Sequence, residues 1–326
     1  MKSRLSRLRV TVRDLVRLGV LAILAPAADH LPREHALALA KLAGKLDASR
    51  ALNAGLRREM QSAFELDPRS AAAVARTQAA CRFLDFVVNR RLRGGREDPA
   101  SWRIEERNPE VIDELRQSGG SFIIAIAHFA RHPCYALMKG KRIPHRIVLV
   151  TAPVHDVVRS SSLSMRWWSA HLALMLDVWG SAGDVEFVFV GEQLVAPILV
   201  ARLKQPGTAV VISVDAPTGP ENRSVHRRPF AGHALQDFAL GTAKVARLAG
   251  CPIVVCNPYL EPDGTVVLEW VGPITTDTHD ADSDVRVMDS ILDELERMIG
   301  RRPTQYVVPI GSERRWDAER ERWQAP

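Results

Sequence analysis

The residues best suited to chemistry stand at the ends of short apolar runs. Ser121 to Pro133 reads SFIIAIAHFARHP, an apolar stretch that stops at His128. A buried strand ending in histidine sets an imidazole beyond the carboxyl end of a sheet, where ligands of open α/β folds collect, and imidazole is the side chain suited to general-base work near neutral pH. A second ionisable residue follows a second run: Ala209 to Val214 leads into Asp215-Ala216-Pro217-Thr218-Gly219. If both runs are strands of one sheet their ends share a crevice, and Asp215 comes within reach of His128 to orient the ring or raise its basicity. The other role open to Asp215 is to fix the turn before Pro217 and Gly219.

Further candidates cluster nearby. Arg131 is placed to bind substrate, and His132 is a second imidazole able to pair with the first. Cys134 opens a predicted helix, where a thiol of depressed pKa serves as a nucleophile and an ordinary one is a small buried hydrophobe. Arg227 and Arg228 precede Pro229, Phe230, Gly232 and His233, and the spacing predicts a helix whose first turn is His233 to Gln236. Guanidinium groups beside the free amides of a helix start suit a phosphate or another anion, so Arg227, Arg228, Gly232 and His233 are substrate-binding candidates.

Other chemistries lack their residues. Ser160 to Ser164 has no GxSxG elbow, and no strand is followed by GxGxxG. Cys81, Cys134, Cys251 and Cys256 show no CxxC spacing and sit in or beside apolar runs, which points to reduced, buried thiols and no metal site. No cofactor is expected.

The elements that must position these groups follow from periodicity. Residues 1 to 17 carry Lys2, Arg4, Arg7, Arg9, Arg13 and Arg17 against Asp14 alone, with Leu5, Leu8, Val12, Leu15 and Val16 at helical spacing. This basic amphipathic helix runs into Leu18 to Ala28, which is shorter than the roughly 20 apolar residues a bilayer span needs. The pair reads as a segment lying on an anionic membrane surface; a signal peptide and a helix packed on its own domain share the outline. From Pro32 to about Arg107 the pattern is helical, with stripes at Leu39, Leu42 and Leu46 and from Val74 to Val88. Beyond it, apolar runs at Phe122 to Ala127, Arg146 to Val150, Glu186 to Val190, Ala209 to Val214, Pro252 to Cys256 and Thr265 to Trp270 alternate with helical stretches at His132 to Met138, Ser161 to Leu176, Leu194 to Leu203, His233 to Leu248 and Asp284 to Ile299. Alternating strands and helices predict an α/β fold with a mostly parallel central sheet flanked by helices. The expected division is a membrane-associating segment over 1–30, a helical region over 31–110 and an α/β domain over 111–326.

A hydrophobic fraction of 46% and a charged fraction of 25% fit a globular chain with a real core. A net charge of +6 admits nucleic acid, phospholipid or an acidic protein as partner. The basic residues lack interleaved aromatic platforms, which excludes nucleic acid and favours a membrane phospholipid surface or an acidic carrier, with Lys139, Lys141, Arg142 and Arg146 as a candidate contact. Trp167 and Trp168 lie in an apolar stretch fit for core packing or for an acyl tunnel.

In the order of its parts the chain resembles the bacterial lipid A biosynthesis acyltransferases, the lauroyl and myristoyl transferases, within the wider glycerolipid and lysophospholipid acyltransferase superfamily. The resemblance runs through LPREHALALAKLAGKL, the strand ending in AHF, the strand ending in VDAPTG, RPFAGHAL, GTAKVARLAGCPIVVC, DGTVVLEWVGPI and PTQYVVPIGSERRWD. It implies transfer of an acyl group from an acyl carrier protein or coenzyme A thioester to a hydroxyl or amine of a lipid or small-molecule acceptor, at the cytoplasmic face of an inner membrane. It also implies that His128 is the base. The family carries an acid five residues after that histidine, and here Pro133 takes its place, with no side-chain group to orient a ring. Asp215 from the neighbouring strand, or His132 as a paired imidazole, is then the expected substitute; the alternatives are a redirected protein that binds an acylated ligand and a thioesterase using Cys134.

Overall fold

A run such as FIIAI buries every residue only if both faces of its strand are covered, and Phe122–Ile126 is buried throughout. The computed structural model describes residues 2–47, 50–129, 131–139, 146–151, 173–180, 185–190, 195–215, 218, 224–276 and 283–325, with 2–14, 50–53, 131–132 and 138–139 described by backbone alone. Among these the strands are β1 (Ile104–Arg107), β2 (Phe122–Ile126), β3 (Arg146–Thr151), β4 (Val185–Phe189), β5 (Thr208–Ser213), β6 (Val225–Phe230), β7 (His233–Ala239), β8 (Ile253–Leu260), β9 (Val266–Ile274), β10 (Arg315–Asp317) and β11 (Arg322–Gln324). The helices are α1 (Lys2–His30), α2 (Arg33–Asp47), α3 (Arg50–Ala63), α4 (Pro68–Arg93), α5 (Glu110–Ser118), α6 (Arg131–Lys139), α7 (173–180), α8 (Val195–Leu203), α9 (Gly241–Ala249) and α10 (Ser283–Arg301).

Seven strands form the central sheet in the order β1-β9-β8-β2-β5-β3-β4. β8, β2, β5, β3 and β4 run parallel, while β9 returns antiparallel to β8 and carries β1 parallel to itself. Alternate side chains of β2 enter opposite cores, as the period of a strand requires. Ile123, Ala125 and Ala127 pack with residues of α3, α4, α8, α9 and α10; Phe122, Ile124 and Ile126 pack with residues of α5, α6 and α7. The expected α/β architecture is present, with β2 at its centre.

The helices α1 and α2 add a further layer outside α4. Leu21, Leu24 and Ala28 of α1 and Ala36, Ala40 and Ala43 of α2 pack on Phe83, Phe86 and Val87 of α4. Small residues bring α2 and α4 so close that a Cβ on Gly44 would lie 2.4 Å from the Ala80 Cα. Arg17 donates to both carboxylate oxygens of Asp47 at 2.6 and 2.9 Å, and Arg90 pairs with Asp29. The second half of α1 is thus part of the folded body, and no helix among the described residues is long and apolar enough to cross a membrane.

Two expectations fail locally. Residues 104–107, read as helical, form edge strand β1 on β9; with four residues the segment is too short for period to distinguish a strand from a helical turn. Residues 233–248, read as one helix, divide into β7 and α9. Phe230 pairs with His233 across a two-residue turn whose central residues, Ala231 at φ 43° and Gly232 at φ 86°, both take the positive φ of a type I′ hairpin. Alanine is seldom found there, so the turn carries no sequence signal at its first position. Most of the predicted helix at 161–176, with Trp167 and Trp168, and residues 140–145 of the basic run lie outside the described residues.

Candidate active site

The parallel register of the sheet builds the site. β2 pairs with β5 from Phe122↔Ala209 to Ile126↔Ser213, a constant offset that, carried two residues past the strand ends, sets His128 beside Asp215. Val214 N–H donates to Ile126 O at 3.0 Å and continues the ladder one step. Ladder pairing then ends, because the Asp215 carboxylate accepts the next donors. Its Oδ2 takes the His128 backbone N–H at 2.9 Å, and its Oδ1 lies 2.6 Å from His128 Nδ1.

The other neighbour of β2 contributes in the same way. The β2–β8 register, Ile123↔Ile253 to Ala125↔Val255, extends to Ala127 opposite Asn257, and there the Asn257 side chain accepts the Ala127 N–H at 2.8 Å. Phe129 N–H turns back to Ala127 O at 2.8 Å, which makes a three-residue γ-turn centred on His128. From the C-terminal segment, Val307 N–H donates to His128 O at 2.8 Å. The backbone on both sides of the histidine is therefore pinned by β5, β8 and the chain after α10.

Asp215 is wholly buried, whereas the His128 side chain keeps 28% of its exposure. Burial pushes the Asp215 carboxyl up, but the His128 imidazole, its ring and backbone N–H groups and the Tyr306 hydroxyl together more than offset this and hold it below the usual carboxyl value. An ionised carboxylate only accepts hydrogen bonds, so Nδ1 carries the imidazole proton and the lone pair falls on Nε2. Among the described residues Nε2 has no hydrogen-bond partner. The pair is a buried acceptor, an oriented imidazole and one open basic nitrogen, the arrangement of a general base with its orienting group.

The other sequence candidates go elsewhere. No helix begins at His233, so the expected anion site at a helix start is not formed. Arg227 Nε and Nη2 donate to Asp237 Oδ1 and Oδ2 at 2.6 and 2.9 Å across the hairpin. Arg228 reaches three carboxylates of α10: Asp289 at 2.9 Å, Asp293 at 2.7 Å and Glu296 at 2.9 Å. Gly232 has a backbone role, since a Cβ there would stand 2.2 Å from Gly311 O. His233 Nε2 donates to Pro309 O at 2.9 Å, which fastens the hairpin to the C-terminal segment. Gly232 and His233 thus join the hairpin to the segment that carries Tyr306 and Val307, Arg228 joins it to α10, and Arg227 stays within it.

Cys134 is buried in the core with Ile126, Tyr135 and Leu137. Burial also pushes the thiols of Cys81 and Cys251 up to about 12 and that of Cys256 well above its ordinary value, so these three stay protonated near neutral pH. The side chains of Arg131 and His132 lie outside the described residues. Among those described, no group of three or more His, Cys, Asp or Glu could hold a metal ion.

Sequence reading missed Asn257, Gln236 and Tyr306. Asn257 is a fully buried amide in an otherwise apolar strand, and that mismatch was the available signal. Gln236 Nε2 donates to the Asp215 main-chain carbonyl at 3.2 Å, a contact that needs the hairpin to exist. Tyr306 reaches Asp215 from a segment without regular structure. Comparison with models of known protein families and with curated proteins finds no match to this chain.

Proposed function

We propose that the protein is an acyltransferase that moves a fatty acyl group from an acyl thioester, carried by an acyl carrier protein or coenzyme A, to a hydroxyl or amine of a lipid or glycolipid acceptor. The observation that carries the reading is the 2.6 Å contact between His128 Nδ1 and the buried Asp215 at the carboxyl ends of β2 and β5, with no partner for Nε2 among the described residues. In this reading Asp215 stands in, from the neighbouring strand, for the acid that Pro133 does not provide.

The chemistry follows from the atoms. His128 Nε2 takes the proton of the acceptor O–H or N–H as that heteroatom attacks the thioester carbonyl. The carbonyl π pair moves to oxygen, and the new C–O or C–N bond gives a tetrahedral adduct. Asp215 stabilises the imidazolium formed in that step. Collapse of the adduct breaks the C–S bond, and the thiolate recovers the proton from Nε2. Help of this kind typically contributes about 10²–10⁴ in rate.

The helical layer supports a peripheral place on the inner membrane. α1 leaves Leu15 and Ile23 56% and 62% exposed, and α2 leaves Leu42 and Leu46 exposed beside exposed Lys41 and Lys45. Apolar rows flanked by cations suit an anionic lipid surface. Incubation of the purified protein with acyl thioesters and a panel of lipid and glycolipid acceptors, read by mass spectrometry, tests the function. An acylated acceptor made by the wild type and not by His128→Ala is the expected result. Thioester hydrolysis that depends on Cys134 and ignores the acceptor contradicts it.

A further inference from the structure

Asp215 has one free torsion that matters. Its carboxylate is fully buried, so its rotamer is set by the groups that donate to it. His128 supplies two of these, but His128 is also the group that changes charge during the proposed reaction. A partner that keeps the carboxylate fixed through that change must come from elsewhere. Tyr306 meets the requirement. It is 1% exposed, its ring packs on Phe129 beside His128 with centroids 5.9 Å apart, and its hydroxyl is close enough to the Asp215 carboxylate to help hold that carboxyl below its usual value. Its own position is fixed twice: Gln78 of α4, itself buried, donates to Tyr306 O at 2.8 Å, and the next residue, Val307, donates to His128 O.

We infer that Tyr306 is a positioning residue, a third member of the His128–Asp215 site that locks the Asp215 carboxylate against the imidazole. The inference rests on the reading of His128 as base. Burial, the Asp215 charge and the hydrogen bond to it hold the phenol far in its protonated form, so it donates throughout the working pH range. The charged groups facing it are Asp215 and, farther off, Glu296 of α10, with His128 beyond Asp215. Gln78 and Gln236 are neutral. The C-terminal segment and the helical layer thereby act on the reacting imidazole through one hydroxyl.

The test is Tyr306→Phe, which keeps the ring and its packing on Phe129. With the melting transition retained, kcat is expected to fall about 10-fold, the worth of a hydrogen bond to a charged group, with KM within about twofold. The acid limb of kcat/KM should move to higher pH, because a carboxylate that has lost a donor is a more basic partner for the imidazolium. On the Asp215→Asn background the same substitution should cost nothing further, since its route of action is gone. A kcat within about twofold of wild type with an unmoved acid limb overturns the inference, as does an equal loss on both backgrounds. If the wild type transfers no acyl group, the acyl-transfer reading fails by itself. Tyr306 is then judged by proton NMR of the imidazole N–H hydrogen-bonded to Asp215, a downfield signal expected to be lost in Asp215→Asn and displaced in Tyr306→Phe. A signal unmoved by Tyr306→Phe refutes the assignment.

Discussion

Two polar clusters sit at opposite ends of the C-terminal segment, and they differ in what they leave unmatched. At the hairpin, Glu296 Oε1 accepts from Ala231 N–H at 2.7 Å and from Arg314 at 3.0 Å, while its Oε2 takes Arg228, which also holds Asp289 and Asp293. Every charge there has a counter-charge, and the product is a brace. At the end of β2 the carboxylate is equally well satisfied, yet the imidazole it orients has no partner at Nε2 among the described residues and keeps 28% of its exposure. Satisfied polar groups make structure; an oriented group with one unmatched atom can do chemistry. The comparison also shows why two adjacent arginines were a poorer guide to the site than one histidine at a strand end.

The comparison can be broken in stages. The largest effect is expected from His128→Ala, which should lower acyl transfer about 10²–10⁴-fold per folded molecule. Asp215→Asn comes next, with a loss of about 10²-fold or more, because an amide N–H facing Nδ1 favours the tautomer whose proton blocks Nε2. That variant also carries a pH signature. Asp215 is held below the usual carboxyl value of 3.8, so its ionised form adds stability above that pH, and the contribution is lost as pH falls through the lower folded-state value. Denaturant unfolding of wild type and Asp215→Asn should therefore differ at neutral pH and draw together as pH falls below 3.8 toward that lower value.

Smaller effects belong to the brace. Arg228→Met deprives the buried Glu296 of one donor and should cost about 1–3 kcal/mol by denaturant unfolding, with little change in the rate per folded molecule. A rate loss as large as that of Asp215→Asn would put Arg228 in the site after all. Cys134→Ala should leave turnover intact. Arg227→Ala should change neither stability nor rate measurably, since its pair with Asp237 is exposed to solvent.

Much of this was legible in the residues because strand period and strand end are local properties. The run before His128 and the run before Asp215 each showed where a parallel strand stops, and sheet topology alone brought the two ends together. The hairpin was hidden because Ala231 takes a positive φ that alanine rarely adopts, so RPFAGHAL read as the entry to a helix. Tyr306 was hidden for another reason. Its contact depends on how α10 returns the chain across the carboxyl ends of β2 and β5, and no local pattern encodes that path. Asn257 lay between: a buried amide in an apolar strand is conspicuous, but its partner Ala127 is known only once the β2–β8 register is fixed.

The central claim is that the His128 imidazole, held by Asp215, removes the acceptor's proton. It is tested most directly by following thiol release from an acyl thioester, with and without acceptor, in wild type and His128→Ala at equal concentrations of folded protein. Acceptor-dependent release by wild type, reduced at least about 10²-fold in the variant, is the predicted result. Acceptor-dependent release that survives in His128→Ala within about twofold of wild type would contradict it.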